Sequence, residues 1–200
     1  MSIPHQLVDT INITRKTNAD KNDLYVLGYL MQEMGEFCET IYASVVPNSR
    51  YKLEHKEHVF EEAADVIQNV YSHLAMVKTH GADNIIITVQ HHMKTVETEW
   101  HDPKLTIAVP SMSGLETTNM LMAAVGRFAQ SSMIEGGHIT HKSQSAETMW
   151  LDAAIVINNV FVAVKKCYPE FQNTTLQQFI MKWIDKKNTK WLKVTSTTAK

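Results

Sequence analysis

Four carboxylates stand out by their spacing. Glu33 and Glu36 fall one helical turn apart in "EMGE", and Glu62 and Asp65 fall one turn apart in "EAAD". Either pair alone is ordinary helix-surface decoration, and Glu36-x-x-Glu39 is a second possible register, with Glu61 adjoining Glu62. Placement sets them apart. Projected at about 100° per residue, Glu33 and Glu36 border the apolar stripe of one helix near Leu30 and Phe37. Glu62 and Asp65 border the stripe of the next, with Asn69 beside them. The two borders have the same hand, so antiparallel helices packed core to core would bring all four acids to one groove. Crowded carboxylates repel each other, and desolvation disfavours their ionisation. A hard divalent cation relieves both costs, and Mg²⁺ takes carboxylate oxygens while keeping water and sharing its shell with substrate phosphates.

The elements that must position these acids are helices. Apolar spacing is helical nearly throughout, and 7 glycines and 5 prolines leave little turn chemistry for an all-β fold. The pattern predicts a short helix from about Pro4, proline being tolerated at a first helical position. A second helix is expected over about 23–43, with Leu24, Leu27, Met31, Met34, Cys38 and Ile41 as its stripe. A third is expected over about 54–79, its stripe being Val59, Ala63, Ile67, Val70 and Leu74, and a fourth over about 83–100. Within the fourth, "NIIIT" could pass for a strand. "HDPKLTIAVPSMSG" is the one long break, and the tail "TSTTAK" has nothing to bury.

That break divides two similar halves. Leu30, Met31, Gly35 and Phe37 recur as Leu121, Met122, Gly126 and Phe128. Ala63, Ala64, Val66, Ile67, Asn69 and Val70 recur as Ala153, Ala154, Val156, Ile157, Asn159 and Val160, and Lys94 recurs as Lys182. The order and nearly constant offset point to a tandem duplication, with one unit over 1–103, a second over 104–193 and a flexible tail over 194–200. The acids do not follow the framework. Glu33 aligns with Ala124, Glu36 with Arg127 and Asp65 with Ile155, and only Glu62 keeps a carboxylate, at Asp152. An acidic set that is lost while the framework persists is not what folds the framework.

The totals exclude several functions. With 44% hydrophobic and 20% charged residues the chain has a globular composition, and a formal charge of −2 gives no basic excess for nucleic acid. No long uninterrupted apolar run suggests a membrane span, and no signal peptide is recognisable, so a cytosolic location is expected. Cys38 and Cys167 read as free, buried thiols in a reducing compartment. His55/His58 and His91/His92 lack the companion ligands of a zinc site, and the four tryptophans read as core or half-interface anchors. No catalytic triad, Walker loop or Rossmann fingerprint occurs.

"EMGE" followed by "EAAD" on the next helix resembles the MazG-like, all-α nucleoside triphosphate pyrophosphohydrolases, whose pattern is Glu-x-x-Glu and then Glu-x-x-Asp. Gly35, just before the second glutamate, fits that pattern and favours Glu33/Glu36 over the later register. The likeness is clearest over about 24–100, and the second half resembles the same framework without its ligands. The resemblance implies a tandem-repeat helical bundle, a pseudo-dimer in one chain. It implies that Glu33, Glu36, Glu62 and Asp65 bind Mg²⁺, with Mn²⁺ as a substitute, and that Glu36 activates water. The implied reaction takes a (deoxy)nucleoside triphosphate to monophosphate and pyrophosphate, a house-cleaning or pool-control activity as in some phage proteins, in which case the cytosol is the host's. Lys94 matches the family's phosphate lysine, whereas Thr98 and His101 stand where asparagine and arginine are expected. Lys52 and Lys56 are substitutes for those contacts, and Asn69 is a candidate for the base or ribose. Because family members pair with the base held between subunits, one working site per chain is expected, its base pocket lined by the second half. Pairing of two such chains stays open, as do dUTP, phosphoribosyl-ATP or alarmone hydrolysis on this scaffold and a non-enzymatic interaction module.

Overall fold

The structure, a computed structural model, describes residues 3–18, 21–45, 57–100 and 112–197, the side chains of 97–100 and 194–197 excepted. Among the described residues the chain is all-α, with seven helices and no strand. They are α1 (His5–Thr17), α2 (Asp23–Val45), α3 (His58–Val77), α4 (Ala82–Trp100), α5 (Gly114–Glu135), α6 (Thr148–Cys167) and α7 (Asn173–Thr197). "NIIIT" lies within α4, its Ile85 and Ile86 both fully buried on a helical face. α7 continues into the segment read as a tail.

Local signals account for several boundaries. Ser113 and Glu116 form a capping box at the start of α5: the Glu116 N–H donates to Ser113 Oγ at 3.2 Å, and the Ser113 N–H donates to a Glu116 carboxylate oxygen at 2.6 Å. Just past the end of α5, Gly137 takes φ +76°, a left-handed conformation that glycine adopts without steric cost. Arg15 of α1 covers the C-terminus of α3, donating to the carbonyls of Ala75, Lys78 and His80. A guanidinium there also meets the negative end of the α3 dipole.

One core runs through both halves. It joins Leu30, Phe37, Ile67 and Tyr71 to Leu121, Phe128, Ile157 and Val160, and Phe37 and Phe128, which correspond in the two halves, are both 0% exposed. Truncating either to alanine is expected to cost about 3–5 kcal/mol. Of the stripe expected for α2, Leu27, Met34, Cys38 and Ile41 are buried while Leu24 and Met31 are exposed, and Val26, Leu30 and Phe37 also point inward. Contact with α5 as well as α3 widens the buried face beyond a single seam.

α4 and α7 each pack mainly on helices other than the one that precedes them in the chain. α2 packs on α3 and α5 on α6, but α4 packs chiefly on α6 and α7 on α3 and α1. α3 and α7 run in the same sense, because Phe60 meets Phe179 while Gln68, further along α3, meets Asn188. Lys78 of α3 is 7% exposed, pairs with Glu135 of α5 and lies over the Trp150 ring of α6 at 5.1 Å. His73 Nε2 meets Ser132 Oγ between α3 and α5.

One helix among the described residues, α6, is long and apolar enough to cross a membrane, contrary to the absence of such a run expected from sequence. Of its apolar window 67% is buried inside the fold. That burial is what a core helix needs.

Cys38 and Cys167 are free, and burial pushes their thiols up to about 12 and about 11.

Candidate functional site

The acids of α2 and α3 meet at the α3–α7 seam. One carboxylate oxygen each from Glu33, Glu62 and Asp65 lies within 4.8 Å of the others. Glu62 is 6% exposed, Glu33 and Asp65 are half-buried, and Glu36 is exposed. One oxygen of Glu62 contacts His58 Nε2 at 3.3 Å; the other, Oε2, is buried with no hydrogen-bond partner. An unpartnered buried carboxylate oxygen is costly, and a cation would supply the missing partner.

The electrostatics follow from this crowding. Burial first, then the charges of Asp65, Glu36 and Glu62, push the Glu33 carboxyl up to about 7. Burial, then Asp65 and Glu36, push Glu62 up to about 7. Burial also raises Asp65, while a hydrogen bond from Lys187 pulls it back. Glu36 lies outside the three-oxygen set but contributes charge to all three members; it accepts from the Gln32 side-chain amide at 3.0 Å.

No family model, curated protein or solved structure matches the chain.

The cation found among these acids is Lys187 of α7. It pairs with Asp65 and lies 3.8 Å from Glu61. Its position is set by its neighbour Asn188, which is 3% exposed. Asn188 accepts from Gln68 at 2.7 Å and Thr10 at 3.0 Å, and donates to the Gln6 carbonyl at 2.8 Å. These buried bonds tie α1, α3 and α7 together one residue from the ammonium-bearing side chain. Lys187 was not singled out from sequence. The cue to it is distributed: it depends on the last helix of the second half packing against the third helix of the first.

The other expected site residues fall elsewhere. Lys94 is exposed on α4, a helix that packs on α6, α1 and α3. Asn69 is 7% exposed, beside the acids, and its amide donates to the Asp65 backbone carbonyl at 2.9 Å. Its counterpart Asn159 is buried with its oxygen unpartnered. Lys52, Lys56 and His101 lie outside the described residues, as does the Thr98 side chain.

Proposed function

We propose that this chain is a MazG-like tandem-repeat nucleotide pyrophosphohydrolase with one working site, at the acids of α2 and α3. The observation that carries the reading is the convergence of Glu33, Glu62 and Asp65 within 4.8 Å around a buried, unpartnered Glu62 oxygen. Three hard oxygen donors of this kind suit Mg²⁺ or Mn²⁺. The crossing of α4 and α7 between halves supports the pseudo-dimer, since each half then completes the other as two subunits would.

When bound, the cation would polarise phosphate oxygens and lower the pKa of water. Glu33, Glu62 and Asp65 would hold it, and its charge would favour their ionised forms. Glu36, exposed beside them, orients the attacking water and takes its proton. The water oxygen forms a bond to phosphorus as the bridge between the α- and β-phosphates breaks, and pyrophosphate leaves. Lys187 of α7, within reach of the acids, would give up its pairing with Asp65 and turn its ammonium toward substrate phosphate, the task expected of Lys94. Asn69 keeps Asp65 aimed through the shared turn of α3.

The test is pyrophosphate release from a panel of ribo- and deoxynucleoside triphosphates with Mg²⁺. Turnover of at least one, lost in Glu62→Gln, is the expected result. One observation favours a second reading. The ion pairs of Lys187 with Asp65 and Glu61 already offset part of the acidic charge, as in a structural network joining the two halves. Absence of both turnover and calorimetric Mg²⁺ binding leaves that structural reading standing.

A further inference from the structure

A cleft of about 790 Å³ lies where the start of α3, the α6–α7 connection and α7 meet. None of Glu33, Glu62, Asp65 or Lys187 lines it. Its volume is within the range that holds small organic ligands. One wall is aromatic. Phe60 stacks on Tyr168 with ring centroids 4.8 Å apart, Tyr168 is nearly parallel to Phe171 at 5.5 Å, and Phe179 is tilted against Phe60 at 5.0 Å. Phe179 remains 37% exposed, so the cluster presents ring surface to the cleft.

The other wall is basic. Lys182, Lys186, Lys190 and Lys193 of α7 line the cleft, against two carboxylates, Glu57 and Asp185. Lys186 lies over the Trp183 ring at 3.9 Å, which holds one ammonium at the edge of the aromatic wall. A core has no need of cations ranged along an aromatic surface. A purely apolar ligand would leave the lysines unused, and a bare anion would leave the rings unused. The two walls together suit one ligand that has a flat ring and a negative charge.

We infer that this cleft is a second ligand site, taking a heteroaromatic ring that carries a phosphate group, with the ring on Phe171 and Phe179 and the phosphate on the α7 lysines. It needs no metal, so it is separable from the acidic cluster. In EDTA the acids repel phosphate, and binding then reports the cleft alone.

The probe is adenosine monophosphate, titrated in EDTA against the full chain by calorimetry, with adenosine, inorganic phosphate and a short oligonucleotide as comparators. Saturable binding of the monophosphate is expected, with adenosine and phosphate each weaker by about tenfold or more. Lys186→Glu with Lys190→Glu, both at exposed positions, should remove it. Phe179→Ala should weaken it by about tenfold, the cost of one lost stacking surface. Glu62→Gln should leave it unchanged. The inference is overturned by an absence of saturable binding, by adenosine binding as tightly as the monophosphate, or by indifference to the lysine substitutions. It is also overturned if binding is lost in Glu62→Gln, which would place the ligand at the acids, or if the oligonucleotide binds more tightly, which would make the cleft part of a strand-binding surface.

Discussion

The border of α2 and α3 and the corresponding border of α5 and α6 share a framework and differ in charge. On the first, Glu33, Glu36, Glu62 and Asp65 gather, and burial pushes Glu33 and Glu62 up to about 7. On the second, Ala124 is buried where Glu33 would be, Ile155 replaces Asp65, and Arg127 replaces Glu36. One acid survives, Asp152. It is 8% exposed and raised by burial, but a hydrogen bond from Ser131 and the charge of Arg127 draw it back toward the carboxylate range. The second border provides its own counter-charge. The first leaves a buried oxygen without a partner and borrows Lys187 from the other half. The α5–α6 border folds with one acid, whereas the acids on α2 and α3 carry an electrostatic cost that burial and mutual repulsion set.

The sharpest way to break this contrast is to neutralise the matching acids in turn. Glu62→Gln removes one carboxylate of the set proposed to hold the metal while keeping shape. Turnover should fall by several kcal/mol of transition-state stabilisation, on the order of 10³-fold. The thermal midpoint in EDTA should hold or rise, since a repelling charge is gone. Asp152→Asn should leave pyrophosphate release within about twofold, because surface-free structural acids do not touch the reacting atoms. Equal losses in the two variants would show that the acids share a structural task.

Lys187 tests how the halves cooperate, with a smaller expected effect. Lys187→Met keeps the length of the stem and removes the charge. With substrate, KM should rise by about tenfold, the worth of one charge-assisted phosphate contact. In the absence of substrate, Mg²⁺ should bind more tightly, because the ammonium no longer competes for Asp65. Calorimetry with the metal alone and steady-state kinetics read these two outcomes separately, and opposite signs are the signature of a lysine that changes partners.

Much of this was legible in the sequence. The all-α character, the stripe of α3 and the placing of Glu33, Glu62 and Asp65 at the borders of their helices' buried faces follow from local periodicity, since residues three and four apart must share a helix face. The lysine was not legible. Lys94 and Lys182 align between halves, yet neither is the cation at the acids, because α7 packs on α3 whereas α4 packs chiefly on α6. Which helix covers which is a long-range choice, set here by buried bonds such as Gln68 to Asn188, and no spacing rule encodes it. The aromatic–lysine cleft was missed for the same reason: Phe60 and Phe179 are far apart in the chain and meet only through that packing.

The coupling of acidity to stability gives a third, smaller effect. An unfolded glutamate titrates near 4.5, whereas folded Glu33 and Glu62 titrate near 7. Between those values the folded chain holds more protons than the unfolded one, so their contribution to stability falls as pH rises from about 4.5 to 7 and is fully lost above it. His73 acts in the opposite sense. Burial lowers it to about 4 from 6.5, so stability is gained as pH rises through that interval. The difference between parent and Glu62→Gln isolates the acids. In EDTA the variant should gain on the parent by a few degrees between pH 5 and pH 8, at about 2–4 °C per kcal/mol for a chain of this size. Mg²⁺ should close the gap by raising the parent more at pH 8 than at pH 5.

The smallest expected effect concerns the second border itself. Arg127 is exposed, and its charge is one of two influences drawing Asp152 back. Arg127→Gln removes that influence and leaves the hydrogen bond from Ser131, so the Asp152 carboxyl should titrate higher, observable by NMR in the folded chain. The thermal midpoint should move by about 2 °C at most, as an exposed charge acting through solvent is worth roughly half a kcal/mol or less. Turnover should not change. If Arg127→Gln instead allowed divalent cation binding at Asp152, the second border would be a working site held shut by its own arginine, and the asymmetry between the halves would be a matter of one residue and not of the whole acidic set.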